Sequence, residues 1–285
     1  MAVVNTNISA SIAQAALIRN ERDLSGTMEQ LSTGRKINSA ADNASGLAIS
    51  SRMTSQIRGL DQAVRNANDA VSMVNTAEGA LDEITDMLQR MRELAVQAGT
   101  GTTSSEDRDY LNLEYIELLE EIERVSANTQ WNGRNILNGS AGGAGAGSTI
   151  AFQVGMDPTQ TISLGFGGFG SAQTMASMNG FNLSAATVAS AVQAASQVIT
   201  AADVAIEAVS KQRATFGATS NRLLHAVDNL TNIKTEAEAS RSRIMDTDYA
   251  AATSELARTQ IIQQAGTAML AQANQLPQTV LALLQ

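Results

Sequence analysis

Few side chains in this sequence could do chemistry, and their spacing argues against most of it. There is a single histidine, His225, and no cysteine. A zinc protease motif needs two histidines, and a thiolate metal site needs cysteines. His225 sits at helical spacing among apolar residues and reads as a packed or half-exposed side chain rather than a base or ligand. Glu120 and Glu121 could suggest paired carboxylates for glycoside hydrolysis. Neighbours in sequence do not face each other on a helix, however, so they read as a solvated surface. The run "GFGGFG" at 165–170 is not followed by Gly-Lys-Ser/Thr and is no phosphate loop. These residues predict a protein that is not an enzyme, with no metal and no cofactor.

The composition narrows the class further. Of 285 residues, 44% are hydrophobic but only 3% aromatic, and there are two prolines, Pro158 and Pro277. Ala, Leu, Ile, Val and Met carry the apolar load, which suits helix packing better than a β core. A net charge of −9 speaks against nucleic acid as a partner, since phosphate contacts need Lys and Arg patches. Thirteen acidic residues against four arginines lie between 76 and 126, which predicts that this middle region faces water. The first 18 residues, "MAVVNTNISASIAQAALI", have no basic start and no continuous apolar run, so no cleaved secretory signal is expected. No window is apolar enough to predict membrane insertion.

These features must be carried by long helices. Ile57, Leu60, Val64, Ala67, Val71 and Val74 alternate steps of three and four, and the frame resumes at Leu81, Leu88 and Ala95. This predicts a helix from the "NSAADN" segment around Asp42 to about residue 98. A second helix follows on Leu111, Tyr115, Leu118, Ile122 and Val125, with Ser104 or Ser105 as its N-cap. The stretch "NTQWNGRNILNG" then reads as turns, with Asn-Gly at 132–133 and 138–139. Residues 139–180 hold 11 of the 21 glycines. Within them Ile150, Phe152 and Val154 alternate, as do Ile162 and Leu164, predicting a small hairpin around "MDPTQ". A third long helix runs from Val188 through Val192, Ala195, Ile199, Ala202, Ile206, Val209, Phe216, Leu223 and Val227 to Leu230, its frame interrupted only by Arg213 and Ser220.

The two ends pattern alike. Leu17, Leu24 and Leu31 recur every seven residues with Met28 between them. Ile262, Gly266, Met269, Ala273, Leu276, Val280 and Leu283 step by four and three, within 27 residues that carry no charge. The two stripes are expected to pair as a coiled coil, with Pro277 loosening the last turns. Ile8, Ile12, Ile261, Leu270, Leu281 and Leu284 lie off those frames, so apolar surface remains outside the pair. Burying one Leu or Ile is worth roughly 1.5–3 kcal/mol, which an isolated chain cannot collect there. Copies stacked in a non-closing, head-to-tail manner could, and such stacking generates helical filaments. The expectation is a mainly α protein: a long coiled-coil-like bundle, paired N- and C-terminal helices, and a small β-hairpin and glycine-rich region at mid-chain.

Long words of the sequence resemble one family. "STGRKINSAADNASGLAISSRM", "RNANDAVSMVNTAEGALDEITDMLQRMRELAVQA", "SRSRIMDTDYAAATSEL" and "QIIQQAGTAMLAQANQLPQTVLALL" are similar to bacterial flagellins, subunits of the flagellar filament. The resemblance implies an inner domain of terminal helices (1–42 and 241–285), a helical rod (43–138 and 181–240), and a vestigial surface region at 139–180. It implies an extracellular helical homopolymer for swimming, exported unfolded by the flagellar type III apparatus. It also implies an export chaperone on the C-terminal helix, and hook-associated junction and cap proteins as neighbours. "LQRMRELAVQ" resembles the segment that an innate-immune Toll-like receptor reads in some flagellins. The matching positions are Gln89, Arg90, Leu94 and, on the next helix, Glu114. They would equally serve contact between neighbouring subunits. Leu118 stands where receptor-recognised relatives often carry a basic residue, which implies weaker recognition. A hook–filament junction protein, sharing the terminal helices, is the alternative reading.

Overall fold

The structure, a computed structural model, describes residues 7–141, 149–170, 178, 183 and 187–282, and the side chains of these except 188 and 276–282. Much of the glycine-rich stretch, at 142–148 and most of 171–186, lies outside the described residues. Among the described residues, five helices and two hairpins follow in order: α1 (Ile8–Thr33), α2 (Ala44–Ala98), α3 (Ser105–Asn128), β1 (Gln130–Trp131), β2 (Arg134–Asn135), β3 (Thr149–Gln153), β4 (Thr161–Gly165), α4 (Val188–Met245) and α5 (Tyr249–Ala282). The protein is mainly helical, as its periodicity predicts. Two compact units divide it: Met1–Ile57 with Thr235–Gln285, and Arg58–Lys234. The division falls inside α2 and α4 rather than at a loop.

The larger unit is built on α2 and α4. Both helices are far longer than the three or four turns typical of globular helices, so each needs a partner along its length. Leu81, Ile84, Leu88, Met91, Leu94 and Ala98 of α2 are buried against Ala195, Val198, Ala202, Ala205, Val209 and Phe216 of α4. Of the frame read from the sequence on α4, Ala195, Ala202, Val209, Phe216, Leu223 and Leu230 are buried, whereas Val192 near its start is exposed. α3 adds a third helix through Tyr115 and Ile122, with Leu111, Leu118 and Val125 half-buried. It starts at a capping box: the Ser104 hydroxyl accepts from the Asp107 amide at 3.1 Å, and the Asp107 carboxylate accepts from the Ser104 amide at 3.3 Å.

The hairpin around "MDPTQ" forms as the alternation predicts, with Ile150 opposite Leu164 and Phe152 opposite Ile162. A lone two-stranded hairpin is marginal in water, so its apolar face needs cover. In this protein Ile162 and Leu164 are buried, and Phe166 packs on Phe216 of α4 with ring centroids 5.2 Å apart. Asn66 of α2 donates to the Gln153 carbonyl and Gln212 of α4 donates to the Gly165 carbonyl, tying each strand to a helix. The first Asn-Gly does more than stop α3. Asn132 (φ 50°) and Gly133 (φ 75°) are both left-handed, and they close the two-residue hairpin β1–β2.

In the smaller unit, α1 pairs with α5. α1 stops at Gly34, whose φ of 69° caps the last turn and whose amide donates to the Gln30 carbonyl at 2.9 Å. Just beyond it the chain bridges to the α4–α5 corner: the Lys36 amide donates to the Met245 carbonyl, and the Thr247 amide to the Gly34 carbonyl. The Asp42 carboxylate accepts the amides of Asn38 and Ser39 at 3.0 and 2.8 Å, shaping the turn into α2. Those bonds, that from Ser39 first, hold its carboxyl below the usual range.

Candidate assembly surfaces

The α1–α5 pair is joined along a seam that is smaller and more polar than the sequence suggests. The seam takes Leu17, Asn20, Leu24, Thr27 and Leu31 from α1, all buried or half-buried. From α5 it takes Ala252, Leu256, Thr259, Gln263, Gly266, Leu270 and Ala273. Both runs alternate steps of three and four. The Asn20 side chain is 7% exposed and donates to the Thr259 carbonyl and to Gln263 Oε1, both at 2.9 Å. Asn7 caps α1 by accepting from the Ala10 amide, and its Nδ2 donates to the Ala273 carbonyl at 2.8 Å. Thus one amide both starts the helix and ties it to its partner.

Leu17, Leu24, Leu31 and Ala273 therefore lie where the sequence frame puts them. Met28, Ile262 and Met269 do not: they are 55%, 42% and 64% exposed. Their seam places are taken by Thr27, Gln263 and Leu270, one residue along. The sequence pattern sums two apolar faces, the seam and the outer surface, and favours the larger side chains. Leu276 and Val280 lie on α5 where side chains are not described, and Leu283 lies outside the described residues. Asn20, Thr27 and Thr259 escape sequence reasoning because buried polar residues carry no hydrophobic signal. The signal that could have found them is the unbroken three-four spacing of uncharged residues from Ala13 to Leu31.

The outer faces of the pair are apolar. Ile8, Ile12 and Ile18 on α1 and Ile261 on α5 are 60%, 65%, 49% and 66% exposed. A groove of about 160 Å³ runs along the seam, lined by Ala13, Ala16, Leu17, Ile262, Gly266 and Met269. At Gly266 an added Cβ would come within 3.0 Å of the Leu17 side chain, so the glycine is what allows α1 and α5 to close there. Large exposed apolar patches on a water-facing protein mark interaction surfaces.

The second predicted surface lies on α2 and α3. Arg90 Nε donates to Glu114 Oε1 at 2.8 Å, and Arg90 also reaches Glu93 at 3.2 Å. Those hydrogen bonds, that to Glu114 first, raise the guanidinium above its ordinary pKa. Gln89 is exposed beside them. Leu94 is not part of this surface: it is fully buried in the α2–α4 core. Its frame of Leu88, Met91, Leu94 and Ala98 turns it inward, whereas Gln89, Arg90 and Glu93 turn out. Leu118 is half-buried against the same core. Around Glu114, Tyr110, Leu113 and Ile116 are exposed, leaving an apolar and acidic face on α3.

The residues that could have done chemistry are dispersed. His225 is exposed on α4. Glu121 is held by Arg124 at 2.6 Å, which lowers its carboxyl pKa, and Glu120 points to solvent. Among the described residues, no group of three or more His, Cys, Asp or Glu could hold a metal ion, and no helix is long and apolar enough to cross a membrane.

Comparisons with known proteins agree with this geometry. Residues 4–142 match the bacterial flagellin N-terminal helical region, and residues 199–284 match the bacterial flagellin C-terminal helical region. A flagellin of Halalkalibacterium halodurans is 42% identical over 99% of this chain and 100% of its own. Flagellin FlaB2 of Treponema pallidum is 39% identical over 99% of this chain and 100% of its own. A flagellar hook-associated protein of Vibrio parahaemolyticus shares the fold, with a TM-score of 0.62 at 13% identity, covering 72% of this chain and 100% of its own. That likeness concerns fold alone, whereas the full-length relatives at 39–42% identity are flagellins. Two long helical regions, a polar-seamed terminal pair with apolar outer faces and near full-length matches converge: this chain belongs to the bacterial flagellin family, the non-enzymatic structural subunits of the flagellar filament.

Proposed function

We propose that the chain polymerises with itself through the outer faces of the α1–α5 pair. The observation that carries this is the exposure of Ile8, Ile12, Ile18 and Ile261, with Met28, Ile262 and Met269 beside them. Each large apolar side chain covered by a neighbour contributes roughly 1.5–3 kcal/mol, so a handful outweighs the cost of ordering two helices. On this reading Leu17, Leu24, Leu31 and Ala273 hold the pair together, while Met28, Ile262 and Met269 face neighbouring subunits. Leu276, Val280 and Leu283 continue the same uncharged stretch of sequence.

The pair is the inner domain of the filament and the α2–α3–α4 bundle its outer rod, with the mid-chain glycine-rich region as a reduced surface. Export unfolded through the flagellar type III apparatus, to an extracellular filament growing at its far end, fits helices whose seams are small and polar. An export chaperone covers α5 until then, and hook-associated junction and cap proteins bound the polymer. Removal of residues 259–285 tests this. The shortened chain should form no filament while its α2–α3–α4 bundle stays helical by circular dichroism. Filaments from the shortened chain would refute the role of the pair, and loss of most helicity would refute the bundle as a separate core.

The exposed Gln89, Arg90 and Glu114 support a second role for the rod, contact with a neighbouring rod or with an innate-immune Toll-like receptor. Leu118 offers no basic group there, so receptor response should be reduced rather than full. Receptor-expressing cells exposed to purified monomer measure it, and complete silence would remove the receptor reading.

A further inference from the structure

The protein holds no cysteine, so its eleven methionines carry all of its sulfur. The structure sorts them by access. Met73, Met91 and Met178 are buried at 3% or less, whereas Met28, Met156 and Met269 are open. Thioether oxidation follows exposure, and it turns a flexible apolar side chain into a polar, chiral one. Met269 is more exposed than either Met28 or Met156, and it lies within the 27-residue stretch that carries no charge. It also forms one wall of the apolar groove, with Leu17, Ile262 and Gly266.

We propose that Met269 is an oxidation-sensitive assembly switch, open to hydroperoxides in the free subunit and shielded once a second copy covers the α1–α5 face. The inference rests on the assembly reading above. The reaction moves one oxygen atom from the peroxide to Sδ: the O–O bond breaks and an S–O bond forms. The thioether loses two electrons, and hydrogen peroxide leaves as water. The sulfoxide oxygen is a strong hydrogen-bond acceptor, and the groove offers Ala13, Ala16, Leu17 and Ile262 as its neighbours. A subunit carrying it cannot bury this face without leaving that acceptor unpaired. Met28 is the second exposed thioether on the pair, but it does not line the groove.

The test exposes purified monomer to hydrogen peroxide, maps sulfoxides by peptide mass spectrometry and measures the critical concentration for seeded growth. Met28, Met156 and Met269 should oxidise before Met73 and Met91. The critical concentration should rise about tenfold or more as Met269 is consumed. In a Met28→Leu background, Met269→Leu, or Met269→Ile if the first grows poorly untreated, should remain growth-competent after the same treatment although Met156 is still oxidised, whereas Met28→Leu alone should lose growth. Methionine sulfoxide reductase with a dithiol should restore growth of the wild-type chain. Growth unchanged at full Met269 oxidation, or equal loss in the doubly substituted chain, would overturn the switch while leaving the assembly reading intact. Peroxide applied to finished filaments tests the assembly reading on which the switch rests. Slow oxidation of Met269 there supports that reading, and oxidation as fast as in the monomer overturns it together with the switch.

Discussion

At the scale of single residues, position along a helix turn decides role more than residue type does. Leu94 and Gln89 lie in the same ten-residue word, yet one is core and the other surface. Leu94→Ala should destabilise the bundle by about 2–5 kcal/mol, and Gln89→Ala by less than about 0.5 kcal/mol, as measured by denaturant unfolding. Equal effects would mean that Leu94 is not buried as described. Tyr115 gives a pH test. It is 1% exposed, its hydroxyl donates to the Met178 carbonyl at 3.0 Å, and burial pushes its pKa up to about 12 from 10.0. Because the folded state resists ionisation, this contribution is complete below pH 10 and lost as pH rises through about 12. Tyr115→Phe should flatten that alkaline loss of stability, with little effect on its slope below pH 9.

At the scale of elements, the sequence reads well where one face is buried and poorly where two are. α2, α3 and α4 bury one face in a shared apolar core and carry their charges outside it, so Leu81, Leu88, Tyr115, Ile122, Phe216 and Leu223 announce themselves by spacing. α1 and α5 present apolar residues on both sides, so the seam at Asn20, Thr27 and Thr259 is hidden beneath Met28, Ile262 and Met269. The β1–β2 hairpin is illegible for another reason. Its strands are two residues each, and only the Asn132–Gly133 turn leaves a mark. Charge also records the register of the long pair. Asp61 meets Lys234 at 2.7 Å, Asp82 meets Arg213 at 2.9 Å and Arg92 meets Asp203 at 2.7 Å. Each advance along α2 is matched by a comparable retreat along α4, as an antiparallel pair requires. Such exposed pairs are individually weak, so Asp82→Arg alone should cost only about 0.2–1 kcal/mol. Combining it with Arg213→Asp should recover most of that loss in a double-mutant cycle. Additive losses would show that the ion pair does not form.

At the scale of the whole molecule, the larger unit holds the long apolar core, while both units leave large apolar side chains exposed, among them Ile8, Ile12 and Ile261 in one and Tyr110, Leu113 and Val204 in the other. The acidic middle of the sequence lies on α2 and α3, where most of its carboxylates face water. The terminal helices close on each other through Leu17, Leu24 and Leu31 together with small and polar residues such as Asn20, Thr27, Thr259, Gly266 and Ala273, while Ile8, Ile12, Met28, Ile261, Ile262 and Met269 stay uncovered. On the proposed assembly, the lack of charge in residues 259–285 has a reason: a helix covered by neighbouring subunits has no face left for water. The central claim is therefore that the outer faces of α1 and α5, not their seam, drive polymerisation. Seeded elongation of the Ile12→Glu/Ile261→Glu chain on wild-type filament fragments tests it most directly. Both positions are exposed in the free subunit, so helicity and thermal unfolding should match the wild type. The account predicts no elongation at concentrations where wild-type chains grow long filaments. Elongation at the wild-type rate would contradict it.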